Sequence, residues 1–146
     1  PSPMVKTYVQ TICLREACVV EYIEYHKDSW PPVVKSLAAV GILDLKIYFR
    51  CSHGGSHARL VMFMTTTDEF DLKVDFAKHA LSSPIVAEWE KRMKEFQKPA
   101  PEALGDEWWA SMAEVFDLNS QLATADEREG YKCAEAVSSI AAQGIV

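Results

Sequence analysis

Read for its hydrophobic periodicity, the chain alternates apolar and polar positions in three segments and repeats at helical spacing in others. Lys6 to Leu14 (KTYVQTICL) is rich in β-branched and aromatic residues with partial alternation, which predicts a first strand. From about Ala17 to Val40 the spacing turns helical, with Val19, Ile23, Val34, Leu37 and Ala38 expected on the core face. Trp30-Pro31-Pro32 interrupts this segment, because proline disfavours the α region for its predecessor and lacks a backbone donor. Gly41 is expected to end it in the left-handed region. Ile42 to Cys51 reads as the second strand, with Leu43, Leu45, Ile47 and Phe49 on one face, and Arg59 to Thr66 as the third. The turn between them contains Gly54-Gly55, as a hairpin does.

The second half continues this grammar. Thr66-x-x-Glu69 has the form of a capping box, and a helix is expected from Phe70 through Val74 and Ala77 to about Leu81. Ser83-Pro84 then starts another helix, Pro84 to Phe96, with Ile85, Trp89, Met93 and Phe96 down one stripe. Pro99 and Pro101 mark an extended connection, and Trp108-Trp109 followed by Met112 to Leu118 reads as a closing strand with Val115 inward. The order is β-α-β-β-α-β, an α+β chain of the ferredoxin-like type with a four-stranded antiparallel sheet and helices on one face. The sheet's other face needs a cover, and small domains of this kind pair two sheets into a dimeric α/β barrel, so a homodimer is expected. The fold is assigned to residues 1–118; the tail, 119–146, adds no strand, and Ala125 to Ala142 can form a helix.

Composition narrows the function classes. At 146 residues the chain suffices for one domain with a real core, and its 49% hydrophobic and 25% charged content is globular. A net charge of -6 argues against a nucleic-acid partner held by counterion release. No apolar run reaches the roughly 20 residues of a membrane span, and Pro1-Ser2-Pro3 opens no signal-peptide pattern. Cys13, Cys18, Cys51 and Cys133 include no Cys-x-x-Cys pair and read as reduced thiols of a cytoplasmic protein. Cys51, His53 and His57 are the one candidate for metal ligation, but without a second pair at ligand spacing the segment reads as a solvated loop; no metal site is expected.

The candidate chemistry lies at Tyr22 and His26. On a helix this spacing of four projects a phenol and an imidazole from one face, able to offer and accept a proton near neutral pH. The same spacing also suits a packed or surface pair, and Trp89 at helical spacing suits plain core packing.

With its elements in this order, the chain resembles the L-rhamnose mutarotase family. That family's Tyr-x-x-x-His-x-x-x-Trp-Pro motif is met by Tyr22, His26, Trp30 and Pro31, and its Gly-Ile turn by Gly41-Ile42. Its Asp-Pro-Val-x-x-x-Trp-Trp-x-x-Met segment is approached by Ser83-Pro84-Ile85 with Trp89, Glu90 and Met93, and its closing Glu-Val-Phe-x-Leu by Glu114-Val115-Phe116-Asp117-Leu118. The resemblance implies a cofactor-free isomerase that interconverts the α and β anomers of L-rhamnose or a related aldose, a monosaccharide substrate. It implies His26 as the principal acid/base group, Tyr22 as its partner, and Trp89 with Trp30 at the sugar site. Two positions depart: the family's second tryptophan is Glu90 here, and an aromatic of its second strand falls at Leu45. Two other readings share the scaffold: a dimeric α/β-barrel monooxygenase or lyase, and a non-catalytic small-ligand-binding barrel dimer.

Overall fold

A computed structural model describes residues 4–52, 57–128 and 142. It separates into two compact units, Pro1–Ala113 and Glu114–Val146. In the first, strand β1 (Val5–Leu14) is followed by a short 3-10 turn (Glu16–Cys18) and two helices, α1 (Val19–Lys27) and α2 (Pro31–Ala39). Strands β2 (Ile42–Cys51) and β3 (Ala58–Thr67) form the expected antiparallel hairpin. Helices α3 (Leu72–Ala80) and α4 (Pro84–Phe96) precede two short strands, β4 (Gln97–Lys98) and β5 (Ala110–Ser111). The sheet order is β2-β3-β1-β4, with β5 also on β1, which is the ferredoxin-like topology.

The closing strand differs from its expectation. Gln97 and Lys98 pair with Leu14 and Cys13, and Ala110 and Ser111 pair with Thr11 and Gln10, so one edge position is filled by two pieces separated by an excursion. The excursion is pinned where Ala100 donates its N–H to the Trp108 carbonyl at 3.0 Å and where Glu102 takes both guanidinium nitrogens of Arg59 at 2.9 and 3.2 Å. Residues 112–117 are not a strand, and Val115 is 89% exposed rather than inward. In the second unit Asp117 caps a short helix, α5 (Leu118–Ala123), by accepting from the Ser120 N–H, and a 3-10 turn covers Asp126–Arg128. Most of the expected helix from Ala125 to Ala142 lies outside the described residues.

Several local features differ from their expectation. The α3 cap is Asp71, whose carboxylate accepts from the N–H groups of Lys73 and Val74; Thr66 is still in β3 and is not a cap. In α4 the buried stripe is Val86, Trp89, Met93 and Phe96, and Ile85 is half exposed. Ser83 caps that helix as expected, accepting from the Val86 N–H. Across α1 and α2 the fully buried residues are Tyr22 and Val33, while Ile23 and Val34 remain partly exposed. A bulge between Ile42 and Asp44 leaves Leu43 outside the alternation and exposed.

Gly41 adopts φ +105°, and a Cβ there would come within 2.9 Å of Thr67 Oγ1. The turn brings Gly41 against the end of β3, where its carbonyl accepts the Thr67 N–H at 2.9 Å. Gly41→Ala should therefore cost about 1–3 kcal/mol of strain, measurable as a lowered midpoint of urea unfolding. An unchanged midpoint would show that the turn relaxes freely.

Candidate functional site

Between the helical layer and the sheet lies a cavity of about 650 Å³, within the usual range of roughly 300–1,000 Å³ for small-molecule sites. Its sheet wall is apolar except for Gln10: Leu45 and Ile47 of β2 and Met62 of β3 face inward. The helices supply Tyr22, His26, Val34, His79, Trp89 and Glu90, and the chain beyond α4 adds Gln97 and Trp109. Tyr22, His26 and Trp89, singled out in the sequence, therefore converge on one space. Trp30 is not among the lining residues; it caps α2 and packs edge-on to Trp89 at 5.2 Å, a support behind the wall. Leu45 and Glu90, the two positions that depart from the family pattern, both face the cavity.

Helix geometry sets the state of His26. Its Nδ1 lies 2.9 Å from the Tyr22 carbonyl, one turn back in α1. A carbonyl can only accept, so Nδ1 carries the proton and Nε2 of the neutral ring presents a lone pair. Burial pushes the imidazole below its ordinary value of 6.5, outweighing the hydrogen bond to the carbonyl that pulls it up. Neutral His26 is thus a base at neutral pH. The Tyr22 ring stacks on the His26 ring with centroids 4.1 Å apart, and Trp89 meets His26 edge-on at 5.3 Å. Desolvation pushes the Tyr22 phenol well above its ordinary value, against a hydrogen bond with Gln97 that lowers it, and the nearby Glu90 carboxylate adds to the rise. Tyr22 accordingly keeps its proton at neutral pH.

Sequence reasoning missed His79, Gln10, Gln97 and Trp109. His79 is fully buried, with Nδ1 at 2.8 Å from Ser36 Oγ and Nε2 at 3.2 Å from Glu90 Oε1. Its partners lie on two other helices, so no spacing within one element signals it. Among the described residues no cluster of three or more His, Cys, Asp or Glu side chains could hold a metal ion, and Cys13, Cys18 and Cys51 are free thiols. Part of the Cys51–His57 segment lies outside the described residues. No helix among the described residues is long and apolar enough to cross a membrane.

A sequence profile for L-rhamnose mutarotase matches residues 7–118. The chain belongs to the L-rhamnose mutarotase family. Among its relatives is a UPF0734 protein of Dictyostelium discoideum, 34% identical over 119 residues that cover 78% of this chain and 90% of that one. Another is an L-fucose mutarotase of Xanthomonas campestris pv. campestris, 34% identical over 105 residues, covering 70% and 78%. The crystal structure of an L-rhamnose mutarotase from Formosa agariphila matches the fold with a TM-score of 0.53 at 18% identity, over 77% of this chain and 98% of that one. Membership of the L-rhamnose mutarotase family places the chain among enzymes of the carbohydrate-isomerase type.

Proposed function

We propose that this protein is a sugar mutarotase acting on a 6-deoxy aldose such as L-rhamnose or L-fucose, without a cofactor. The observation that carries the reading is the neutral, tautomer-fixed imidazole of His26 in a cavity that also holds a phenol and an indole. Mutarotation needs a base at the anomeric hydroxyl and a donor at the ring oxygen. His26 Nε2 takes the O1 proton as the C1–O5 bond breaks and the C1 aldehyde forms. Tyr22, held protonated, hydrogen-bonds the oxygen that gathers charge. Rotation about C1–C2 presents the other face of the aldehyde, and ring closure returns the proton to O1. Trp89 supplies an apolar plane to cover the C–H face of the sugar, and Leu45, Ile47 and Met62 suit a methyl group in place of a hydroxymethyl.

Saturation-transfer proton NMR on the anomeric signals tests this directly. Wild-type protein should exchange the α and β signals of L-rhamnose or L-fucose far faster than buffer does. Exchange at the buffer rate with every aldose tried would remove the mutarotase reading and favour non-catalytic ligand binding.

The family resemblance and the uncovered sheet face support a homodimer. Register places Val9, Tyr48, Val61 and Phe63 on the face away from the helices. Tyr48 and Phe63 pack edge-to-face at 5.6 Å, yet remain 57% and 45% exposed. Pairing two such faces would remove these rings from water. Sedimentation velocity should give a dimer for the wild type and a monomer for Phe63→Glu; a monomeric wild type would refute the pairing.

A further inference from the structure

Tyr22 leaves the proposed reaction one proton short. A phenol pushed up by burial can polarise the departing ring oxygen, but it is a poor source of a transferable proton. The cavity contains another source that the family motif does not include, at the position where this chain carries Glu90 in place of an indole.

The direction of a hydrogen-bond chain settles how many protons this source holds. Ser82 Oγ donates its single hydrogen to the His79 carbonyl at 2.7 Å, since the carbonyl can only accept. In the 3.0 Å contact between Ser36 Oγ and Ser82 Oγ, the donor must then be Ser36. Ser36 has no second hydrogen, so the 2.8 Å contact with His79 Nδ1 requires an N–H on that nitrogen. A neutral His79 has no other proton, which leaves Nε2 as a lone pair facing Glu90 Oε1 at 3.2 Å. A carboxylate and a lone pair do not bond. The contact requires one more proton between them, carried either on His79 or on the Glu90 carboxyl.

We infer that Glu90, loaded with a proton by His79, is the second acid/base group of the site and protonates the ring oxygen of the sugar. The inference rests on the mutarotase reading above. The balance is complete: the couple gives one proton to O5 as the C1–O5 bond breaks, and His26 Nε2 removes one from O1. Ring closure on the other face reverses both transfers, so neither group needs an outside proton. Both side chains line the cavity, but His79 is buried with both ring nitrogens engaged, while the Glu90 side chain is 40% exposed and is the member open to a ligand. Glu90 is therefore the catalytic member and His79 the positioning one. Groups around the couple are Ser36 of α2, Ser82 of the α3–α4 turn, and Tyr22 and His26 of α1 across the cavity.

Anomeric exchange should be measured over a range of pH for wild type, Glu90→Gln, Glu90→Ala and His79→Gln, with sugar binding followed separately by titration calorimetry. The wild type should give a bell: the acid limb reports protonation of His26, and the basic limb loss of the proton shared by Glu90 and His79. Glu90→Gln should lower kcat by roughly 100-fold or more, leave sugar affinity within a few-fold, and abolish the basic limb. Formate should restore the exchange of Glu90→Ala in proportion to its concentration, which a merely structural role of the side chain would not produce. His79→Gln should lower kcat and shift the basic limb. Wild-type kcat with an unaltered basic limb in Glu90→Gln, in a protein whose His26→Ala variant is inactive, would overturn this assignment and leave the mutarotase reading standing. A wild type inactive on all aldoses would overturn both.

Discussion

Replacing His26 by alanine should lower anomeric exchange by roughly 100- to 10,000-fold, the range a positioned acid/base group supplies. The loss should fall on kcat, because the ring contributes a lone pair at Nε2 and little of the cavity's apolar surface. Added imidazole should recover part of the rate, since the vacated space opens to the cavity. The wild-type profile carries a second sign of the same group. Burial holds the imidazole below 6.5, so the neutral base persists as pH is lowered through that value. The midpoint of the acid limb should therefore lie below pH 6.5. The same depression means that the unfolded chain binds a proton in that interval that the folded chain refuses, so stability should fall with pH there too. Polarimetric initial rates and urea midpoints across the acid range measure both. A midpoint well above pH 6.5 would show that another group sets the limb.

Trp89→Ala should have the largest effect on the fold itself. The indole is 4% exposed and meets Tyr25 at 5.8 Å, Trp30 at 5.2 Å and His26 at 5.3 Å, all edge-on. Truncating a buried indole in such a cluster costs about 3–5 kcal/mol, a large share of the roughly 5–15 kcal/mol that holds a domain folded. Trp89→Phe keeps a ring against the same neighbours and should lose much less. Urea unfolding of the two variants distinguishes them. A midpoint barely moved by alanine would mean that the cluster is slack and that Trp89 serves the cavity alone. The expected result makes Trp89 both core and wall, so packing and ligand contact are two faces of one side chain.

The architecture was legible where a residue's reason is local. Ser83-Pro84 starts a helix because the hydroxyl accepts the Val86 N–H and the missing donor would be unbonded anyway; Gly41 closes a turn that other residues would strain. Tyr22 and His26 share a face through helix periodicity alone. What failed locally was decided by competition among neighbours. Asp71 caps α3 better than Thr66 because β3 runs on to Thr67 and holds Thr66 in the sheet. The bulge at Leu43 and the split of the edge strand into Gln97–Lys98 and Ala110–Ser111 are choices of register made between chains of residues far apart in sequence. Val34 looked like core because a cavity wall and a core face have the same period. The contact of His79 with Glu90 and Ser36 was out of reach for the same reason: three helices must dock before it exists.

One contact described above has a meaning for how such a site can change over time. The tautomer of His26 is fixed by the carbonyl of Tyr22, a main-chain atom that every amino acid at position 22 would supply. The tautomer is therefore inherited with the helix and depends on no side chain other than His26 itself. The walls around it are under no such obligation. Substitutions at Leu45, Met62 or Trp109 can reshape what the cavity admits while the lone pair at Nε2 stays where it was. A lineage built this way can move from one sugar to another by altering its lining, and need not reinvent its chemistry at each step.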